Sequence, residues 1–269
     1  MPEKSEDNGK AKFTLSSASL YHLRLEEVFR LATQAGYQGL ELMVTNQEQT
    51  QSTKLVKESA QRYNLPVTSI HAPFLLAAKK VWGEPRSKID MSIEMAQSLG
   101  AQVVVVHLPY FWQLDYARWL QNNLNDYAKG TGVTVAVENA ILLNLFRLWN
   151  FSFFNSLQKL KQFEHLVFDT SHFAIAGVDI IEAWKELRTR VCHIHLSNNY
   201  LMGFDDHALP FDGRLPLDRF LRSLSRDGYQ GNIVLELGPG SLETRLGEER
   251  ILNNLRRSLR YCMEYYNKP

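Results

Sequence analysis

Short apolar runs alternate with helix-like segments eight times along this chain. The helix-like segments carry apolar residues three and four positions apart, as in 25–36, where Gly36 ends the pattern. Four successive valines fill Val103–Val106, which favours a strand covered on both faces, as in a parallel sheet. The alternation predicts an α/β fold, a parallel eight-stranded (β/α)8 TIM barrel with outer helices.

The predicted elements divide the chain into a tail and one domain. We predict strands at 13–16, 39–44, 67–71, 103–107, 134–138, 166–169, 191–196 and 233–236. We predict helices at 25–36, 53–63, 89–99, 115–129, 157–163, 180–187 and 216–226, and a last one that ends near Tyr266. Residues 1–12 are polar and charged, so we expect a disordered tail there and a single TIM-barrel domain over 13–269.

Six of the predicted strands end in a residue type that binds metal ions. The steps between these residues average 33 positions, about the length of one strand plus its crossover helix. In parallel barrels the carboxyl ends of the strands share one mouth, where the chemistry is found. We therefore expect one metal site at that mouth, built from His71, His107, Glu138, Asp169, His195 and Glu236.

The central candidates combine three carboxylates with one imidazole: Glu138, Asp169, His195 and Glu236. This mixture suits Mn, Mg, Co or Zn. The possible additional ligands are His71, His107, His172, Asp205 and His207. Nine candidates exceed what one ion can use, so either further ions bind or several of these residues orient the ligands and the substrate. We interpret His193, one layer deeper than His195, as an interior filler or a hydrogen-bond donor.

Composition bears on partners and compartment. The formal net charge of +1 gives no reason to expect a nucleic-acid or membrane partner, although a local patch can hide in a neutral total. Two cysteines, Cys192 and Cys262, are too few for a disulfide framework and suit a reducing compartment. No apolar run approaches the ~18 residues of a membrane-spanning helix, and the tail has no apolar leader segment. We expect a cytoplasmic protein.

One loop is dense in apolar residues beside the predicted mouth. Residues 140–154 include ten large apolar side chains, and Tyr110, Phe111 and Trp112 add to them. Such a patch could be a subunit interface in a homo-oligomer, a lid, or a pocket for an aromatic substrate. The alternative is that these side chains pack onto the barrel rim.

Short motifs around the strand ends occur in a specific order. They read SIHAPF, VVVVHLP, VAVEN, FDTSHFAIAGVD, HIHLSN, DDHALPFDG and IVLELGPG. In this order and spacing the chain resembles the xylose-isomerase-like TIM barrels, from the third strand to the eighth. That superfamily includes sugar-phosphate isomerases and epimerases and the family 2 AP endonucleases (endonuclease IV).

The resemblance implies different chemistry in its two branches. In the isomerase-epimerase branch, one divalent ion is held at the positions of Glu138, Asp169, His195 and Glu236, and the two glutamates flank the substrate. In the endonuclease branch, all nine positions hold three zinc ions, with the residue at Glu138 bridging two of them. Those ions cut a phosphodiester of abasic DNA. All nine ligand types are present, so the ligand list alone does not choose.

Departures from the family pattern favour the first branch. The endonucleases resemble D-R-H at the position of Asp205, and here Asp206 takes the place of the arginine. Asn198 replaces an aspartate that many relatives have after strand seven, and Phe211 replaces the first glycine of a G-x-G loop. The dipeptide Leu75–Leu76 argues the other way, because it resembles a loop that wedges into a base stack.

The leading prediction is a divalent-metal-dependent isomerase or epimerase of a small sugar or sugar-like substrate. Glu138 and Glu236 would be the catalytic pair and transfer a proton through an enediolate. A zinc-dependent AP endonuclease is the alternative, and a non-catalytic barrel is a third reading against which the intact ligand set argues. We predict substrate contacts at His71, His107, His172, Glu41, Phe74 and Trp112, with capping of a loop as the alternative for Glu41.

Overall fold

A computed structural model describes residues 10–74, 78, 80–144 and 148–268. Ten strands are present in these ranges: β1 Lys12–Ser16, β2 Leu40–Met43, β3 Val67–His71, β4 Val103–His107, β5 Thr134–Glu138, β6 Leu143–Asn144, β7 Leu148–Trp149, β8 Leu166–Asp169, β9 Val191–Leu196 and β10 Asn232–Leu235. Eight of them form a closed parallel barrel in the order β1-β10-β9-β8-β5-β4-β3-β2, and β6 and β7 form a separate antiparallel pair. The predicted (β/α)8 TIM barrel is confirmed.

The helices surround the barrel between its strands. In the same part of the chain they are α1 Leu25–Ala35, α2 Glu48–Gln51, α3 Thr53–Arg62, α4 Pro85–Leu99, α5 Leu114–Tyr127, α6 Leu157–Leu160, α7 Thr170–Ile175, α8 Ile180–Leu187, α9 Leu217–Arg226 and α10 Glu248–Tyr266. Amphipathic sequences explain their placement: α1 buries Leu25, Val28 and Phe29 against the sheet while its glutamates face outward.

The barrel closes between its first and last strands. β1 pairs with β10, with Phe13 opposite Ile233, and with β2, where Ser16 lies opposite Glu41. Closure leaves no free sheet edge in the barrel, and it directs the carboxyl ends of all eight strands to one mouth.

The valine-rich fourth strand separates two apolar layers. Val104 and Val106 belong to the large core between the sheet and the helices. Val103 and Val105 point into the barrel, where they form a small interior cluster with Ala136 and Val167. Both faces of β4 are thus buried, as the run of valines predicted.

Most element bounds agree with the prediction to within a few residues, and the differences are local. β1 begins at Lys12, one residue earlier than predicted, and buried Ala11 precedes it. The helix predicted over 157–163 is the single turn α6. Neither the short helix α7 nor the β6–β7 pair was predicted. The tail prediction for residues 1–9 lies outside the described residues.

Candidate metal centre and active site

The four central candidates meet at the carboxyl mouth. Glu138 and Asp169 are the last residues of β5 and β8, His195 is near the end of β9, and Glu236 follows β10. Their ligand atoms all lie within 4.8 Å of one another. Nδ1 of His195 is 2.7 Å from Oε1 of Glu138, 3.0 Å from Oε2 of Glu236 and 3.8 Å from Oδ2 of Asp169. The predicted convergence of these residues is present.

A second group meets the other oxygen of Glu138. Nε2 of His107 lies 2.8 Å, and Nε2 of His71 3.5 Å, from Oε2 of Glu138. The two histidine nitrogens are 3.2 Å apart. Glu138 therefore stands between two sets of nitrogen donors, one facing each of its oxygens.

The third group consists of His172, Asp205 and His207. Oδ2 of Asp205 lies 3.4 Å from Nε2 of His172 and 2.8 Å from Nε2 of His207. His172 also connects this group to the centre, because its Nδ1 is 3.9 Å from Oε1 of Glu138. All nine predicted ligand positions thus lie in one contiguous cluster.

In three of the outer histidines a backbone carbonyl determines which ring nitrogen is left for a ligand. Nδ1 of His172 lies 2.7 Å from the carbonyl of Asn139, and Nδ1 of His71 is 3.0 Å from the carbonyl of Ala72. Nδ1 of His207 is 3.1 Å from the carbonyl of Glu236. A carbonyl can only accept, so these Nδ1 atoms carry hydrogen and Nε2 of each ring is left to bind a ligand.

Burial and charge set the protonation of the carboxylates. Burial opposes ionisation of Glu138, but His107 and His195 outweigh it and hold the pKa of its carboxyl well below the ordinary value. At Asp169 burial prevails over the attraction of His172 and raises the carboxyl pKa to about 6. At Glu236 burial is outweighed by His195, and the pKa is lowered. The centre therefore concentrates negative charge beside several imidazoles.

The donor set fits a divalent cation. Oδ2 of Asp169 is buried and has no hydrogen-bond partner among the described residues. Its Oδ1 accepts the backbone N–H of His172 at 2.8 Å, so Oδ2 faces the other candidates with its lone pairs free. Buried, unpaired carboxylate oxygen next to imidazole nitrogen is the environment that a Mn, Co, Zn or Mg ion satisfies.

The cluster is partly open on one side. The side chains of Glu236, His107, Asp205 and His207 are 13 to 19% exposed, whereas those of Asp169 and His195 are at most 1% exposed. A small molecule can therefore approach the first four residues, and the latter two form the floor of the site.

Two residues that sequence reasoning missed hold the centre in place. Asn139 accepts the N–H of Asp169 through Oδ1 at 2.8 Å and donates through Nδ2 to the Asp169 carbonyl at 3.1 Å. Ser171 donates to Oδ1 of Asp205 at 2.6 Å. Asn139 directly follows Glu138 in the motif VAVEN, so its position beside a ligand was the available indication.

The predicted substrate contacts have different surroundings. The ring of Phe74 stacks on that of His107 with centroids 3.5 Å apart, at the edge of the cluster. Trp112 is 58% exposed on the loop after β4. Glu41 is completely buried beneath His195, so its carboxylate is not at the open side of the site and does not cap a loop. Leu75 and Leu76 lie outside the described residues.

The three residues that depart from the family pattern, Asp206, Asn198 and Phe211, each contact a neighbouring group. Asp206 accepts the N–H of Tyr200 through Oδ2 at 3.0 Å. The side-chain oxygen of Asn198 accepts the N–H groups of Asn199 and Leu215, both at 2.8 Å. These two side chains therefore shape the loop that carries Asp205. The ring of Phe211 lies beneath the guanidinium of Arg257 in α10, whose Cζ is 4.2 Å from the ring centroid.

The aromatic residues after β4 and β5 form a ledge at the mouth, which we define as Tyr110, Phe111, Trp112, Trp149 and Phe151. The Tyr110 and Trp112 rings stack at 4.7 Å, and the Phe111 and Phe151 rings lie 5.9 Å apart. Phe111 donates its N–H to the Phe151 carbonyl at 2.8 Å, which joins the two loops. Part of loop 140–154 therefore packs on the rim, and its predicted role in a homo-oligomer stays a prediction; residues 145–147 of the loop lie outside the described ranges.

Helices that could cross a membrane are absent from the described ranges: none combines sufficient length with sufficient apolar character.

A closed parallel barrel with a carboxylate–imidazole cluster at its carboxyl mouth defines the class of TIM-barrel proteins whose mouth could hold a metal ion. The chain belongs to the xylose isomerase-like TIM barrel family, whose model matches residues 29–262.

The chain is similar in sequence to an uncharacterized protein and to an enzyme. An uncharacterized protein of Mycobacterium leprae is 31% identical over 94% of this chain and 97% of its own length. An inosose dehydratase of Mesomycoplasma hyopneumoniae is 25% identical over 76% of this chain and 77% of its own.

Similar solved structures come from both branches of the superfamily. A D-tagatose 3-epimerase-like protein has a TM-score of 0.71 at 19% identity and covers 96% of this chain and 98% of its own. An AP endonuclease, family 2, of Brucella melitensis also has a TM-score of 0.71, at 18% identity, and covers 94% and 99%. Both likenesses are to the fold.

Proposed function

We propose that this protein is a divalent-metal-dependent isomerase or epimerase that moves a proton on a carbon atom of a small, sugar-like substrate. The observation that carries the proposal is that the carboxylates of Glu138 and Glu236 both lie close to Nδ1 of His195, at 2.7 and 3.0 Å. The epimerase-like and dehydratase relatives support a substrate of this class, since both names refer to sugars or polyols.

Glu138, Asp169, His195 and Glu236 would hold the ion. When bound, it would supply a Lewis acid that polarises a carbonyl and the neighbouring hydroxyl. Glu138 and Glu236 come from strands separated by β8 and β9 in the barrel, so their carboxylates approach a substrate from different sides. Both have lowered pKa values and are ionised at neutral pH, as a general base must be.

In the proposed reaction, one of these two carboxylates takes the proton from the carbon beside the carbonyl. The electron pair of the broken C–H bond passes into the carbonyl, which gives an enediolate. The other glutamate, which must first take up a proton from water, returns that proton to carbon. His107, at the open side, and the more deeply placed His71 and His172 would bind substrate hydroxyls.

Hydrogen exchange with a panel of sugars and polyols tests this scheme. Metal-loaded protein is incubated in D2O with D-tagatose, D-fructose and an inosose, and NMR follows replacement of C–H by C–D. We expect exchange with at least one compound, and a loss of about 100- to 10,000-fold in Glu138→Gln and Glu236→Gln.

Metal content is measured for every variant in that experiment, because an amide oxygen can still ligate and a lost ion must be told apart from a lost base. Exchange at the wild-type rate in both metal-loaded variants would contradict the role of the glutamate pair. Absence of exchange with the whole panel would contradict this substrate class.

A second candidate function is zinc-dependent hydrolysis of a phosphodiester in abasic DNA. The observation that favours it is the position of Glu138 between two nitrogen groups, with His172, Asp205 and His207 forming a third group. Three ions per chain and nicking of a duplex with an abasic site would support this function. One ion per chain and an intact duplex would contradict it.

A further inference from the structure

Glu41 lies inside the barrel, beneath the central ligands and away from the open side. Its side chain is completely buried. Oε2 accepts hydrogen bonds from Nε2 of His193 at 2.7 Å and from Oγ of Ser69 at 2.9 Å. Oε1 lies 3.0 Å from Nε2 of His195. The carboxylate is therefore surrounded by groups of the protein itself.

Strand geometry explains this arrangement. Glu41 in β2 is paired with Ser69 in β3, so both side chains point into the barrel from adjacent positions. His193 and His195 are two residues apart in β9, and alternation places both on the interior face. Three strand pairings separate β9 from β2 around the barrel, so Glu41 contacts the histidines across its interior.

The charge on Glu41 is balanced by histidine. Among the described residues no lysine or arginine forms an ion pair with it, and its ion-pair partners are His193 and His195. Its side chain is completely buried, and its remaining partner is the neutral hydroxyl of Ser69. A buried carboxylate whose ion-pair partners are both imidazoles is stabilised when at least one of them directs an N–H toward it.

The two ring nitrogens of His195 therefore contact different groups. Nδ1 is directed at the central carboxylates, whereas Nε2 is directed at Glu41. His71, His172 and His207 have the opposite arrangement, with Nδ1 at a backbone carbonyl and Nε2 directed into the cluster. Nε2 of His195 and Oε1 of Glu41 are 3.0 Å apart, although neither atom has a hydrogen bond of good geometry among the described residues, so the carboxylate acts on the ring through its electrostatic attraction for an N–H at Nε2.

We propose that Glu41 is a positioning residue that keeps the proton of His195 on Nε2 and thereby presents Nδ1 as the metal ligand. A carboxylate behind an imidazole also makes the ring a stronger donor toward the ion. This inference rests on the metal site of the proposed function. It gives Glu41 a role through His195 rather than through the substrate.

The test measures zinc affinity and the hydrogen position in the same samples. Metal-free protein is titrated with Zn2+ in competition with a chelator, for the wild type, Glu41→Gln and the control Ser69→Ala. Long-range 1H–15N NMR assigns the ring hydrogen of His195 and reports occupancy at this site separately from the neighbouring groups. Glu41→Gln preserves volume and removes the negative charge, whereas Ser69→Ala removes one donor to Glu41 and leaves its carboxylate.

We expect Glu41→Gln to weaken zinc binding at His195 by about 10- to 100-fold. Ser69→Ala should weaken it by less than about threefold, since the net effect of one neutral hydrogen bond is small. Zinc-loaded wild type should show the hydrogen of His195 on Nε2. Equal zinc affinity in Glu41→Gln and the wild type would overturn the inference, as would an equal loss in both variants.

If Glu41→Gln does not fold, the NMR spectrum of the wild type tests the inference. A hydrogen on Nε2 in the zinc-loaded protein supports the inference, and a hydrogen on Nδ1 overturns it. If the wild type binds no zinc, manganese, cobalt or magnesium, the proposed function fails together with this inference. If the wild type binds metal and Glu41→Gln binds it equally well, this inference alone fails.

Discussion

At the scale of residues, the identity of each candidate ligand was predictable, but the atom that it presents was not. A histidine at a strand end can offer either ring nitrogen. The choice depends on a carbonyl such as that of Asn139 or on a carboxylate such as that of Glu41, and both come from other strands. Those partners are set by the closed barrel, so the sequence alone could not identify them.

Close packing explains why residue 213, beside the site, is a glycine. A Cβ at Gly213 would lie 2.4 Å from the side chain of Asn198, which holds the loop after β9 through the N–H groups of Asn199 and Leu215. A Cβ at Gly240 would have nothing within 4 Å. The two positions therefore form a matched pair on neighbouring loops.

We expect Gly213→Ala to lower the free energy of unfolding by about 1–3 kcal/mol, because the new methyl group overpacks a fixed side chain. Gly240→Ala should stay within about 0.5 kcal/mol of the wild type. Chemical denaturation measures both. Equal stability of the two variants would mean that Asn198 moves freely, and the loop would then not be held as described.

At the scale of elements, the junction between β8 and α7 connects fold and site. Asp169 ends the strand and is also the N-cap of the helix, since its Oδ1 accepts the N–H of His172. This places Asp169 and His172 on adjacent turns of chain without an intervening loop. No helix was predicted between Asp169 and Ile180, because six residues are too few for a clear helical period.

The aromatic ledge is the element whose role depends on the substrate. Backbone hydrogen bonds join the loops after β4 and β5, which gives Trp112 a fixed stacking partner in Tyr110. More than half of Trp112 is nevertheless exposed, and it follows His107 by five residues. An exposed, positioned ring at the mouth is suited to contact the part of a substrate that does not react.

We therefore expect Trp112→Ala to raise KM about two- to tenfold, from the loss of about 0.5–1.5 kcal/mol of stacking, with kcat unchanged. Steady-state kinetics on the compound that shows hydrogen exchange makes this measurement. Met91→Ala, which truncates an exposed side chain on α4, is the control and should change neither constant. A fall in kcat with unchanged KM would contradict a binding role for Trp112.

At the scale of the whole molecule, the repeated unit explains why much of the fold could be predicted. Each strand-plus-helix repeat ends its strand at the same mouth, so six potential ligands at six strand ends were enough to predict the barrel and the convergence of these residues at its mouth. The position of Glu41 could not be predicted in this way. Glu41 lies inside the predicted strand 39–44 rather than as its last residue, and its depth inside the barrel depends on the stagger of β2 against β3, which shifts between Leu40 and Glu41.

The central claim is that residues from separate strands bind a shared divalent ion. Metal analysis of protein purified without chelators tests it most directly, with the Asp169→Asn variant as the comparison. We predict at least one Mn, Co, Zn or Mg ion per wild-type chain, and loss of the central ion in Asp169→Asn with the fold retained. A folded wild type that takes up none of these ions, even when they are supplied in excess, would contradict the claim.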